Sequence, residues 1–244
     1  MLRLSSRRFA APEASVGAPE PVSNAGEQKE LTMKLYGYWR SSATYRIRII
    51  LALKGLAYDY EPVNLLAGDQ RSSAHLTRNP QALVPALETD DGAVLTQSLA
   101  IAEYLEEAYP ATSLLPGPRD ERAQARAIAA TIACEAQPFM NLRVQQFLKK
   151  EARFDDTAMN DWLDRWSGGA MRAADALVSD DGPFAMGSEP GLADAFIAPQ
   201  MYAARRFGVD LTTMAKLARI EAACAAHPAF QAAHPDRQPD APKT

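Results

Sequence analysis

The chain has 244 residues, of which 47% are hydrophobic and 23% charged, and its formal net charge is -4. That length suits one large or two small domains with a sizeable core. The slight acidity gives no general footprint for nucleic acid, and no apolar run nears the roughly 18 residues that a membrane-spanning helix needs.

The two cysteines, Cys134 and Cys224, lie far apart and lack C-x-x-C spacing, which fits a reducing, cytoplasmic setting rather than a disulfide framework. His75, His227 and His234 form no ligand cluster with them, so no metal site is expected.

In chain order, residues 1–32 come first, with Pro12, Pro19 and Pro21 and no hydrophobic periodicity. A disordered extension is expected there. Its start, MLRLSSRRF, faintly resembles an organelle transit peptide. The plainer readings are an unstructured extension, or an upstream start codon with Met33 as the true beginning.

KLYGYW then reads as a strand, and Tyr45 to Lys54 as a buried helix closed by Gly55. YDYEPVNL alternates like a second strand, followed by a polar loop to Asn79 and Pro80. VPALET and AVLTQ flank Asp91-Gly92, a dipeptide suited to a hairpin, and a helix from Ser98 to Tyr109 follows. Residues 33–111 therefore read as a small α/β domain with a mixed sheet.

The proline-rich PATSLLPGP acts as a linker. Residues 119–235 show only helical patterns, over 120–150, 157–178, 191–206 and 213–226, and 236–244 is a tail.

Three places can carry chemistry. Ser41 and Ser42 fall at the foot of the first helix, where one serine would serve as an N-cap. Two adjacent serines exceed that need. The helix end also favours an anion, such as a thiolate whose pKa a hydroxyl donor would lower. On spacing alone the two readings stand level. Val84-Pro85 precedes a strand, and reads either as a turn into an edge strand or as an extended backbone whose Val84 N–H and C=O pair with a peptide-like ligand. Gln97 and Ser98 open the next helix, with Ser98 as its N-cap or as part of a carboxylate site.

Taken in this order, the elements RSSATYRIRI, NPQALVPALE, LTQSLAIAEYLEE, QPFMNLRV and LADAFIAPQMYAARRFGVDL resemble the zeta class of the soluble glutathione transferases. The likeness runs from Met33 to Pro242. It implies a thioredoxin-like N-terminal domain, an all-α C-terminal domain and, typically, a homodimer. It implies glutathione as cofactor, with Ser41 facing the sulfur, Val84 pairing the peptide backbone, and Gln97 with Ser98 holding the γ-glutamyl end. By the same likeness Ser42, Ala43, Thr44, Tyr45, Arg46, Gln70, Gln137, Asn141, Leu142 and Arg143 belong to the glutathione site.

The implied activity is glutathione-dependent cis-trans isomerisation of maleylacetoacetate to fumarylacetoacetate. The alternatives are a zeta-type transferase acting on α-haloacids, a maleylpyruvate isomerase, and a non-catalytic glutathione-binding module. A doubly acidic substrate needs cations, for which Arg40, Arg46 and Arg206 are the candidates. Arg48 and Arg205 read as solvated or structural charges.

Two positions depart from the family pattern. Ala43 stands where cysteine is usual, and GLAD (Gly191 to Asp194) replaces the usual Ser or Thr capping box. Glycine still caps a helix, and threonine at 191 is expected to add a few tenths of a kcal/mol. Leu142 and Gln137 replace the arginine and histidine that maleylpyruvate isomerases tend to carry, which favours the maleylacetoacetate branch.

Overall fold

The computed structural model describes residues 33–115 and 117–243. The expected disordered extension at 1–32 lies outside them. Four strands, β1 (Lys34–Gly37), β2 (Asp59–Pro62), β3 (Ala86–Glu88) and β4 (Val94–Thr96), form one sheet in the order β2-β1-β3-β4. β1 pairs parallel to β2, with Leu35 opposite Tyr60, and antiparallel to β3, with Leu35 opposite Leu87. A parallel neighbour requires a crossover, which α1 (Ser42–Lys54) supplies. The β3–β4 pair is the expected hairpin, and α3 (Ser98–Ala108) follows it.

α1 is buried nearly all round, its arginines included, because it is covered on both sides. Ile47, Ile50 and Leu51 pack with Leu35, Leu87, Ile101 and Leu105, all fully buried, while its other flank meets the late helices α8 (Leu192–Arg206) and α10 (Pro228–Ala233). Its end is set by Gly55, whose left-handed φ of 67° closes the last turn.

Beyond the sheet every named element is helical. These are α4 (Arg119–Ala130), α5 (Leu142–Lys150), α6 (Asp156–Leu163), α7 (Gly169–Leu177), α8, α9 (Ala215–Ala226) and α10. The sheet, its helices and the helical half form one compact unit.

Three local expectations are corrected. The polar loop before Asn79 contains a short helix, α2 (Ser73–Arg78), capped by Ser72. The apolar segment 120–150 is broken. After α4 come a wide turn at Thr131–Ala136 and a tight one at Gln137–Met140, where Pro138 interrupts the N–H ladder and Asn141 caps α5. The Ser167 hydroxyl donates to the Ala136 carbonyl at 2.6 Å and satisfies a group which that break frees. Val84-Pro85 leads into β3, which is an interior strand rather than an edge. The residues after 235 are fastened to the sheet, since Asp240 Oδ2 accepts from Trp39 N (2.9 Å) and the Tyr60 hydroxyl (3.3 Å).

Candidate active site

A cavity of about 390 Å³ opens between the ends of α1 and α3 and the α4–α5 break. Ser41 marks one wall. It has extended backbone (φ -69°, ψ 121°), and its Oγ accepts from Thr44 N at 3.3 Å, which makes it the N-cap of α1. An accepting hydroxyl keeps its own hydrogen to donate. Capping and anion holding are therefore compatible at Ser41, and Ser41 faces the cavity.

Helical geometry sorts the rest of the motif. Ser41, Ala43 and Arg46 line the cavity. Ser42, Thr44 and Tyr45 do not. Thr44 is buried, and Tyr45 turns the other way, packing edge-on to Tyr202 and His234.

Arg46 is 1% exposed, and its Nη1 donates to Ser98 Oγ at 3.1 Å. Burial pulls its guanidinium down, to about 9, and the Phe196 ring lies 4.9 Å away. Its Nε and Nη2 have no partner among the described residues. Ser98 is the first residue of α3, so its hydroxyl serves Arg46. The cap position belongs to Gln97, which corrects the expected Ser98 cap. Gln97 has a left-handed φ of 68° and donates from Nε2 to Gln81 Oε1 at 2.5 Å. A non-glycine residue held there costs about 1–3 kcal/mol, a strain that often marks a ligand site.

Val84 forms the adjoining wall before a cis Pro85. No backbone hydrogen bond among the described residues engages its N–H or C=O. Gln70 is 9% exposed, with Nε2 on Leu65 O and Oε1 unpartnered. From the helical half come Gln137, Asn141, Leu142 and Arg143, all lining the cavity. Asn141 Oδ1 accepts from Arg143 N at 3.1 Å.

Arg40 and Arg206 are not among the lining residues. The Arg206 guanidinium lies 4.2 Å over the Phe207 ring, and it is held below its ordinary range by desolvation and then by the charge of Arg40. Arg48 is buried and structural, donating to Ala233 O at 3.0 Å and Trp39 O at 2.9 Å, while Arg205 forms a surface pair with Glu221.

The sequence reading missed Arg71, Gln81 and Cys134, which also line the cavity. Cys134 sits three residues before Gln137, a spacing that shares one helical face and could have exposed it. No comparable signal marks Arg71.

A thioredoxin-like sheet packed on an all-helical half, with this cavity at their junction, is the architecture of the glutathione transferases. The family model for the glutathione S-transferase N-terminal domain matches residues 31–107. Maleylacetoacetate isomerase of Pseudomonas aeruginosa is 46% identical over 212 residues, 86% of this chain and 99% of that one.

Two solved structures are similar along most of their length. One is a maleylpyruvate isomerase described as a bacterial zeta-class glutathione transferase, with 42% identity, a TM-score of 0.81, and 86% of this chain and 100% of that one covered. The other is maleylacetoacetate isomerase from Anaeromyxobacter dehalogenans with bound dicarboxyethyl glutathione and citrate, with 45% identity, a TM-score of 0.77, and 87% and 98% covered. The chain belongs to the zeta class of the glutathione transferase family.

Proposed function

We propose that the protein is a glutathione-dependent cis-trans isomerase that converts maleylacetoacetate to fumarylacetoacetate. The observation that carries this is one cavity wall in which Ser41, Val84, Gln97, Ser98 and the buried cation Arg46 converge. The unpartnered N–H groups of Arg46, the free backbone of Val84 and the lone Oε1 of Gln70 fit a peptide bearing carboxylates. In this assignment Ser41 meets the sulfur, Val84 the peptide backbone, and Gln97 with Ser98 the γ-glutamyl end. Arg46 acts behind Ser98, while Gln70, Gln137, Asn141, Leu142 and Arg143 complete the walls.

Bound there, glutathione supplies a thiolate that adds reversibly to the conjugated double bond, leaving a single bond free to rotate. The chain's part is electrostatic. The Ser41 hydroxyl and the positive end of α1 keep the sulfur anionic. Arg40 and Arg206, outside the cavity lining, are the cations assigned to the substrate carboxylates and the charge that grows on addition. Thr44 and Tyr45 support the turn from outside the cavity, their N–H groups donating to Ser41 Oγ and Ser41 O, and Ser42 also lies outside the cavity.

The dicarboxyethyl glutathione and citrate in the Anaeromyxobacter relative support a site for glutathione beside an acid with several carboxylates. The division into 33–111, 119–235 and a tail 236–244 is supported by a sheet confined to 34–96 and by the start of α4 at 119. Two free cysteines support a reducing cytoplasm, and family resemblance supports a homodimer.

Maleylpyruvate isomerisation is the second reading, favoured by the TM-score of 0.81 to such an enzyme. Turnover assays with each substrate, with and without glutathione, decide between the two. Faster, glutathione-dependent turnover of maleylacetoacetate is expected, and a preference for maleylpyruvate would overturn the assignment.

A further inference from the structure

Cys134 is exposed in the Thr131–Ala136 turn and lines the same cavity as Ser41, yet isomerisation gives it no task. The cavity is also lined by Arg46, fully buried, with two N–H groups that lack partners. A buried guanidinium with unused donors calls for an anion in the space that Cys134 also lines. Cys224 is the contrast, being 1% exposed, with its thiol driven up by burial and then by Asp194.

We propose that Cys134 is a site of reversible glutathionylation directed by the cavity, through exchange with glutathione disulfide seated with one half at Ser41. The inference rests on the glutathione reading of the cavity. The Cys134 thiolate attacks the outer sulfur and forms a new S–S bond. The old S–S bond breaks, and its electron pair leaves on the inner sulfur. Cys134 is thereby oxidised to a mixed disulfide, the inner half is reduced to glutathione thiolate, and the Cys134 proton passes to solvent. Glutathione disulfide is the only oxidant required.

The leaving thiolate is the species that Ser41 and the α1 terminus are arranged to stabilise, and a stabilised thiolate leaves faster. Arg71 and Arg143, exposed on the cavity lining, offer the outer half's carboxylates partners. The attached group fills the cavity, so modification stops turnover until a reducing thiol removes it.

The test treats the full chain with glutathione disulfide and follows it by intact and peptide mass spectrometry. One glutathionyl group per chain is expected, on Cys134, with one free thiol released. The rate should saturate with disulfide concentration and fall several-fold in Ser41→Ala, and Cys134→Ser should take up none. Calorimetry with reduced glutathione checks the cavity separately. If reduced glutathione binds and Cys134 stays unmodified, the inference falls and the cavity reading stands. If reduced glutathione does not bind, both fall. Modification that is linear in disulfide, indifferent to Ser41→Ala and matched by hydroxyethyl disulfide would show ordinary surface chemistry and overturn the proposal.

Discussion

The Ser41 hydroxyl accepts from Thr44 N while its hydrogen stays free, so one side chain ends a helix and faces a ligand cavity. Ser41→Ala should therefore act on two measurements. Loss of the cap costs about 1 kcal/mol, a fall of roughly 2–4 °C in a chain of this size. Loss of the donor should lower kcat by about 100-fold and raise the pKa of bound thiol, read from thiolate absorbance against pH. Ser42→Ala, outside the cavity, should leave that absorbance curve in place. Equal shifts in both variants would mean that the serines are wrongly assigned.

Gly191 teaches the opposite lesson. Capping rules favour threonine there, but an added Cβ would lie 2.9 Å from the Leu114 carbonyl oxygen, which already accepts from Leu192 N at 2.8 Å. Space, not φ (-134°), selects glycine. Asp194 supplies the cap's other half by accepting from Gly191 N at 2.8 Å. Gly191→Ala is expected to destabilise by about 1–3 kcal/mol in denaturant titration, and a gain would show that the contact relaxes freely.

At the scale of elements, α1, α3 and the chain after α3 are joined by a buried ion pair. Lys54 Nζ and Glu106 Oε2 lie 2.8 Å apart, with side chains 1% and 8% exposed. Lys54 also donates to Tyr109 O and Thr112 O. Burial alone would raise the Glu106 carboxyl, but Lys54, Ser113 and Leu114 N together hold it below its ordinary 4.5. A depressed carboxylate contributes stability above that ordinary value and loses it as pH falls through the folded one. Unfolding free energy should thus decline as pH drops below 4.5. Glu106→Gln should flatten that decline and cost about 3–5 kcal/mol at neutral pH, because Lys54 is left buried without its counter-charge. An unchanged acid limb would place the titration elsewhere.

The C-terminal strap is a second such tie. Asp240 holds Trp39 N, and Arg48 holds Trp39 O, on the turn that presents Ser41. Asp240→Ala removes a charge-assisted bond of about 1.5–3 kcal/mol and should raise the KM for glutathione about tenfold. An unchanged KM would make the strap purely structural.

Element types were legible from apolar runs bounded by turn residues: β1 follows from its apolar run, α1 from apolar content closed by Gly55, and the hairpin from Asp91-Gly92. The strap was not, since it depends on one aspartate meeting a backbone N–H some 201 residues away. Nor was the α4–α5 break, where Pro138 lies inside a run of otherwise helical composition.

At the scale of the whole molecule, the α/β half supplies the polar wall and the helical half closes the cavity with Gln137, Asn141, Leu142 and Arg143. The motif residues Ser41, Val84, Gln97 and Ser98 could be found in the sequence because each sits where a helix or strand begins. Arg71 could not, because only tertiary packing brings it to the same space, whereas Cys134 had only its spacing to Gln137 to mark it. Arg40 and Arg206, expected from the sequence to meet the substrate, do not line the cavity. Isomerisation and conjugation differ in the fate of the sulfur: an acid that adds thiolate and releases it leaves the thiol pool unchanged. The most direct measurement follows loss of the cis isomer of maleylacetoacetate while free thiol is titrated through many turnovers. A trans product with a constant thiol pool is predicted, and turnover should vanish when glutathione is omitted. Loss of one thiol for each product molecule would contradict the account and identify a conjugating transferase.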